Sequence, residues 1–510
     1  MPEHIRSLIV ILLIASFIFF FAKKALGTTL TNEEFSRWRN AWFSITLIAF
    51  LSSNFWIFIA LSFILIYYLA RTEENKFAFY FVLLITIPTI SDRLPGSIEL
   101  NYVRILALAI FLPFFLKFKS SQDVPSMGKP IAEKFMIAYL LLSTLLTLRG
   151  TTFTEMLRYG LYGFTDIFLP YYCASRAIKD FNQLKKVMIG FALACLIAGA
   201  IGTFEFSKSW LLYNPLAHAL NIDWDMGRYL TRDNNIRAIS SLGHSIIFGF
   251  TMMVGLGFYL FVAPNIKSKT MRFTGFAIII SGLILSLSRG PWLGTAVLLL
   301  IFIGLGQKVI PRYLILTISL IIGLTILPSI PGGNRIINML PFIGETDKSN
   351  IEYRQELFDK SILIIERNPS FGVYNPKMEP EMEDMVQGEG IIDLVNTYLI
   401  VTLYNGLVAL SLLFSFYSLV LITGFRNLRK IADKKSEEYR CGRILLASLA
   451  GVLFTIATVS SIGVIPIINW TLAGLIMSYS RITNSKSNDK NDNTVVEKQI
   501  YPTSRLKITQ

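Results

Sequence analysis

Apolar residues in this chain come in runs of about 15 to 30 positions, parted by short polar links. Runs such as Ile9 to Ala22, Phe55 to Ala70, Val187 to Phe204, Ile246 to Ala263, Tyr398 to Thr423 and Ile444 to Thr458 approach or reach the roughly 20 residues that carry a helix across hydrocarbon. The alternating decamers of a barrel are absent, and a segment in lipid must satisfy its own backbone groups, so the pattern predicts helices. An all-α polytopic membrane protein of about 12 to 15 transmembrane helices is expected. Near the front, Ala41 to Ala70 reads either as one long tilted helix or as a hairpin turning at Ser52, Ser53 and Asn54. Ile9 to Ala22 reads as a retained anchor, because Lys23 and Lys24 follow it without a small-residue cleavage site.

One interruption is long. Pro328 to Val395 carries six basic and twelve acidic residues between two spans. Within it, Ser349-Asn-Ile-Glu352 is a capping-box pattern, and Ile351, Arg354, Phe358, Ser361, Ile362 and Ile365 recur at helical spacing. A helix of about 17 residues is predicted, ending at Arg367-Asn-Pro369 with a turn at Ser370 to Gly372. Arg354 falls on its apolar stripe, where an unpaired charge is costly, so a loop carboxylate or a bound anion is expected to meet it. The segment holding Glu379, Glu381, Glu383, Asp384 and Glu389 reads as a solvated acidic stretch.

The other links are basic. Lys117 to Lys134, Arg176 to Lys186, Lys267 to Arg272 and the seven Lys and Arg residues from Arg426 to Arg443 belong in the cytoplasm by the positive-inside rule. Ser207 to Gly243, the turn at Ser288 to Pro291 and Pro328 to Val395 then lie outside, and the C-terminus lies inside. Composition agrees: 53% of residues are hydrophobic and 16% charged, with a mean hydropathy of +0.54. The net charge of +14 reflects inside loops next to anionic lipid and gives no support to a nucleic-acid role. Zinc spacings, P-loops and dinucleotide fingerprints are absent, and Cys173, Cys195 and Cys441 suggest no disulfide framework. The tail from Asn484 to Gln510, rich in Lys, Asn, Ser and Thr, reads as disordered.

Chemistry-bearing residues cluster at the outer ends of spans. Arg289, in Ser286-Leu-Ser-Arg-Gly-Pro-Trp292, sits between two short apolar runs at the membrane boundary. It either snorkels to headgroups or presents a fixed fork to a phosphate or diphosphate. Arg237 precedes the span that starts near Ser245, with His244 beside it as an interfacial residue or a catalyst. Arg228, Arg232, Asp223 and Asp225 read as a solvated loop face.

Four stretches resemble the O-antigen ligase and Wzy-type polysaccharide polymerase superfamily of bacterial inner membranes: Arg237 to Phe250, Ser288 to Gly290, Tyr353-Arg-Gln-Glu-Leu-Phe with Arg367-Asn-Pro-Ser-Phe-Gly372, and Asn396-Thr-Tyr-Leu399 with Gly406. The resemblance covers roughly residues 180 to 425, and the front third matches only as generic spans, nearest to exopolysaccharide members. It implies N-terminal helices over 1–180, a ligase or polymerase core over 181–480 with a periplasmic loop at 328–395, and a cytoplasmic tail over 481–510. It also implies a glycosyltransferase that polymerises polyprenyl-diphosphate-linked glycan units, with no cofactor and no metal required. Arg237 and Arg289 would hold the diphosphate, Arg354 would orient donor or acceptor, and His244, Ser288, Asn396, Tyr398 and Arg367 would contact substrate. The acceptor would be a glycan or a lipid core, and polysaccharide export machinery is a further expected partner. Family members often carry a histidine before the asparagine of Asn-Thr-Tyr-Leu, where this chain has Val395. Asp393 is then the nearest candidate base, ahead of Glu389 and His244. The alternatives are ligation to a lipid A core and a lipid-linked glycan flippase or other transporter. A transporter would need ionisable residues lining mid-membrane cavities and broken helices, neither of which the runs display.

Overall fold

The computed structural model describes residues 1–27, 29–93, 99–119, 130–222, 230–232, 235–329, 337, 348–386 and 392–500; of 93, 118–119, 327, 348–350 and 486–500 it describes the backbone alone. Asp223, Asp225, Arg228 and Glu389 lie outside the described residues. The chain is all-α. Its front half contains α1 (Glu3–Leu26), α2 (Asn32–Leu51), α3 (Phe55–Thr72), α4 (Lys76–Thr86), α5 (Tyr102–Lys119), α6 (Ile131–Leu146), α7 (Phe153–Gly163), α8 (Leu169–Ala177) and α9 (Phe181–Lys208). Then come α10 (Asn214–Ala219), α11 (Ser245–Val262), α12 (Lys269–Leu285), α13 (Arg289–Gly304), α14 (Val309–Ile326), α15 (Lys348–Arg367), α16 (Thr397–Arg429), α17 (Glu437–Ile456) and α18 (Ile465–Ile500). Two short antiparallel hairpins, Ser91–Arg93 with Glu99–Asn101 and Thr231–Arg232 with Asn235–Ile236, are the only sheet among the described residues.

Among the described residues, eight helices are long and apolar enough to cross a membrane, and α4 and α13 are shorter apolar helices between them. Local capping settles the ambiguous front as a hairpin: α2 ends at Leu51, and the Asn54 side chain accepts the Ile57 N–H at 3.0 Å to start α3. Burial separates interior from periphery. Of the spanning stretch of α11, 89% is buried, against none in α14, so α9, α11 and α17 form the centre of the bundle and α14 its rim. The Trp210 indole donates to Glu3 at 3.1 Å, which puts the N-terminus on the same membrane side as the segment after α9.

The long loop folds over one end of the bundle. Leu357 and Ile364 of α15 pack with Met382, Met385, Ile392 and Leu394, and with Leu399 and Leu403 at the start of α16. This layer chooses a different face of α15 from the one expected. Leu357, Ser361 and Ile364 are buried, while Ile351 and Phe358 are 59% and 51% exposed. The helix carries two apolar stripes about 100° apart, and the layer beneath it selects one. Arg354 consequently lies on the exposed side rather than in the packed stripe. The helix also begins at Lys348, one residue before the expected cap, and spans 20 residues.

Candidate active site

The site is built around the turn between α12 and α13. Leu287 adopts a left-handed conformation with φ of 48°, which reverses the chain between the two helices while its side chain stays buried. Two arginines from the preceding segment hold this turn. Arg237 donates from Nε to the Ser286 carbonyl at 3.2 Å and from Nη2 to the Ser288 hydroxyl at 2.6 Å, and Arg232 donates to the Leu287 carbonyl at 2.7 Å. Arg289 follows immediately as the first residue of α13. Arg232 is thus part of the turn's wall and not only a solvated loop residue.

Arg237 is itself positioned by a residue that the sequence pattern does not single out. Glu205, fully buried near the C-terminal end of α9, accepts the Leu212 N–H at 3.0 Å, the Ile239 N–H at 3.2 Å and the Ser240 N–H at 2.8 Å. Three buried donors that would otherwise lack partners are satisfied by one carboxyl group, and the segment bearing Arg237 is pinned two residues away. His244 caps α11: its Nδ1 accepts the Ile246 N–H at 3.2 Å, which leaves the proton on Nε2. Burial, and then the nearby Arg237 charge, push its pKa down to about 4. His244 is a neutral donor here and a weak base.

The connection between α17 and α18 is a hub. The Arg354 guanidinium donates to the Thr458 carbonyl at 3.1 Å, so its partner is a backbone oxygen. A Cβ on Gly290 would lie 2.7 Å from the Thr458 hydroxyl and 2.8 Å from Val459, so only glycine lets the α13 start pack this closely. The Thr397 hydroxyl donates to the Val459 carbonyl at 2.8 Å, and the Ser460 hydroxyl to the Leu394 carbonyl at 2.6 Å. Through Thr458 to Ser460, the structure brings the Arg289 turn, Arg354 and the Asp393 segment into one neighbourhood. Desolvation lowers the Arg354 pKa, the Asp393 charge opposes that shift, and Arg232 adds to it. Burial raises the Asp393 carboxyl pKa from its ordinary value, with Lys377, Arg354 and Ser460 opposing. The only sequence sign of this hub is a short uncharged link, Thr458-Val-Ser-Ser-Ile-Gly463, between two spans.

The cap of α16 is Asn396, whose side-chain oxygen accepts from Tyr398 at 2.9 Å and Leu399 at 3.2 Å. Asp393 therefore does not serve as the N-cap. Its backbone is held instead by the Tyr353 hydroxyl, which accepts the Asp393 N–H at 3.2 Å. Several predicted substrate contacts direct polar atoms inward. Besides Asn396, Ser288 binds Arg237, and the Tyr398 hydroxyl donates to the Leu453 carbonyl at 2.9 Å. Arg367 pairs with Glu379 at 3.1 Å and Glu381 at 2.7 Å, thirteen positions along α15 from Arg354, or about 20 Å. The acidic stretch is thus partly tied down.

A broken helix is present after all. Gly406 sits in α16 with φ of 78° and ψ of 179°, and the Arg367 to Gly372 turn docks on the break. The Leu407 N–H donates to the Pro369 carbonyl at 2.8 Å, and the Val373 N–H donates to the Leu403 carbonyl at 2.8 Å. Arg149, from the α6–α7 turn, donates to the carbonyls of Phe371, Gly372 and Tyr404 at 2.9, 2.7 and 2.7 Å. The opened backbone is spent on anchoring the loop, which is one of the ways an interrupted helix is tolerated in a membrane protein.

Residues 274–414 match the family model described as O-antigen ligase, in line with the resemblance carried by the motifs. The molecule is thus a multi-pass membrane protein with a glycosyl-transferring region of the O-antigen ligase type. The matched stretch contains Ser288, Arg289, Arg354, Arg367, Asp393, Asn396, Tyr398 and Gly406, and leaves out Glu205, Arg237, His244 and Thr458. No curated protein matches the chain.

Proposed function

We propose that this protein polymerises polyprenyl-diphosphate-linked glycan units on the outer face of the bacterial cytoplasmic membrane, for an exopolysaccharide or O-antigen. The observation that carries this reading is that Arg237 holds the turn from which Arg289 starts α13, while Arg354 reaches Thr458, the residue against which Gly290 of that turn packs. A lipid-linked diphosphate presents its charge at headgroup depth, where the dielectric lies between water and protein. A pair of opposite charges about 4 Å apart there is worth about 4 kcal/mol. Planar guanidinium forks add bidentate geometry suited to phosphate oxygens.

In this reading the acceptor hydroxyl oxygen attacks the anomeric carbon of the donor glycan. The bond from that carbon to the diphosphate oxygen breaks, and the polyprenyl diphosphate leaves with the electron pair, its charge met by Arg237 and Arg289. Asp393 takes the hydroxyl proton, and the Arg354 charge favours its ionised form. Its raised pKa brings it nearer the working range of a general base. Val395 packs against the loop core and takes no part.

The test is the surface glycan of a deletion strain complemented with variants. Wild type should restore long chains, Arg289→Ala should restore nearly none, and Arg289→Lys should do poorly because a point charge does not reproduce the fork. Single repeat units in the deletion strain support polymerisation. Normal chains left on the polyprenol carrier, with none on lipid A, would replace it with ligation, and units trapped inside would replace it with a flippase.

A further inference from the structure

A polar cavity opens beyond the C-terminal end of α15, the end away from Arg354. It has a volume of about 440 Å³ and lies between the α6–α7 turn, the first turns of α7 and the Gly406 break. Tyr159, Tyr374 and Tyr404 line it together with Asn375, Asn405 and Glu155. Its volume falls within the range of about 300–1,000 Å³ typical of small-ligand sites. The contrast with a cavity on another part of the bundle is chemical. That one, about 410 Å³ between α1, α9, α11 and α12, is lined mostly by Phe, Ile, Leu, Ala and Met side chains, with Tyr259, Ser268, Thr270 and Thr274 among them, and suits an acyl or prenyl chain.

Three phenol rings with two carboxamides and a carboxylate match the two faces of a sugar. Pyranose C–H faces pack on aromatic rings, while hydroxyls, each both donor and acceptor, pair with groups that offer both. The cavity is poorly suited to a phosphate. Arg149, its cationic wall residue, directs Nε, Nη1 and Nη2 to the carbonyls of Leu146, Phe371, Gly372 and Tyr404. Glu155 is paired with Arg158 at 2.8 Å. The charges are therefore committed to building the wall, and an uncharged ligand is favoured.

Placement connects the two sites. Arg354 lies near the start of α15, and the turn that follows its end, Ser370 to Gly372, leads directly into Tyr374 and Asn375 of the cavity. Arg149 ties the α6–α7 turn to the same loop, so the cavity and the arginines share one side of the bundle. The helical separation from Arg354 to Arg367 is about 20 Å, a span of several sugar units.

We infer that this cavity is a second carbohydrate site, holding an uncharged stretch of the glycan several sugars away from the reacting end. The inference rests on the glycosyl-transfer reading above for its ligand class. Holding the chain at a distance keeps it from leaving between transfers, so the site sets chain length rather than the transfer itself.

The probe is the polysaccharide that disappears in the deletion strain, cut by mild acid into oligosaccharides without lipid or diphosphate. Its binding to the full-length protein in lipid nanodiscs is measured by calorimetry or saturation-transfer NMR, and chain length is read from complemented cells. Tyr159→Ala should weaken oligosaccharide binding about tenfold and shorten the modal chain several-fold. Tyr159→Phe, which keeps the stacking face, should behave as wild type, and Arg289→Ala should bind normally while making no polymer. Unchanged binding and unchanged chain length in Tyr159→Ala, with Glu155→Gln and Asn405→Ala equally silent, would overturn the inference. Binding lost in Arg289→Ala but kept in Tyr159→Ala would also overturn it, by assigning the glycan to the arginine site. Normal polymer from Arg289→Ala would instead refute the proposed function, while the lipid-free binding result still decides this site.

Discussion

Glu205→Gln is the most demanding test of how the arginine site is held. In the native protein one carboxyl oxygen accepts the Leu212 N–H at 3.0 Å and the other accepts both Ile239 and Ser240. An amide of the same shape has one acceptor oxygen. Turned toward Ile239 and Ser240, it confronts the Leu212 N–H with an NH₂ group; turned the other way, it leaves two donors unmet. The cheaper arrangement leaves one buried N–H unsatisfied, at about 1–3 kcal/mol. Glu205→Ala leaves all three, at roughly 3–9 kcal/mol on the same scale if the site stays dry. The heat-denaturation midpoint of the detergent-purified protein should fall modestly for Gln and steeply for Ala. Polymer in complemented cells should drop several-fold for Gln, because the freed segment carries Arg237. A Glu205→Gln protein with wild-type midpoint and wild-type polymer would refute the claim that this carboxyl group positions Arg237.

Three other outcomes are expected. A cysteine placed at the exposed Glu383 should react with an impermeant reagent in intact cells, because the positive-inside rule applied to the basic link from Arg426 to Arg443 predicts a cytoplasmic C-terminus; reaction only after lysis would invert the orientation and the mechanism with it. Asp393→Asn and Asp393→Ser should both abolish polymer at normal protein levels, since the α16 cap is Asn396 and stays intact. With Asp393 present, activity should fall as pH drops through the Asp393 pKa, shifted upward from the ordinary aspartate value by burial, because protonation removes the base; retained synthesis in both variants would reject the role. Gly406→Ala should sharply reduce the yield of folded protein, because its Cβ would lie 2.2 Å from the Ser370 carbonyl oxygen at a φ of 78°. The backbone conformation alone costs about 1–3 kcal/mol, before that overlap is relieved; an unaffected melting midpoint would count against the docked-break picture.

Much of this molecule was legible along the chain because lipid imposes local rules. Spans must be apolar and about 20 residues long, which made the helical class readable from runs such as Val187 to Phe204. The turn at Ser288 to Gly290 stood out because Arg289 interrupts two such runs, and the loop helix announced its end at Arg367-Asn-Pro369. What the sequence left open were the choices made by partners distant in the chain. The hairpin at Asn54 was one of two local readings until the cap formed, and the face of α15 was one of two stripes until Met382, Met385 and Leu394 lay beneath it. Glu205 and Thr458 carry no sequence pattern of their own. Their roles arise because backbone groups of Ile239 and Ser240, and the Arg354 side chain, reach them across the fold. The same holds for Gly406, whose break is stable only because Pro369 and Arg149 supply partners for its opened backbone. Hydrophobic length is a property of a segment, whereas satisfaction of a buried polar group is a property of whatever the fold brings to it.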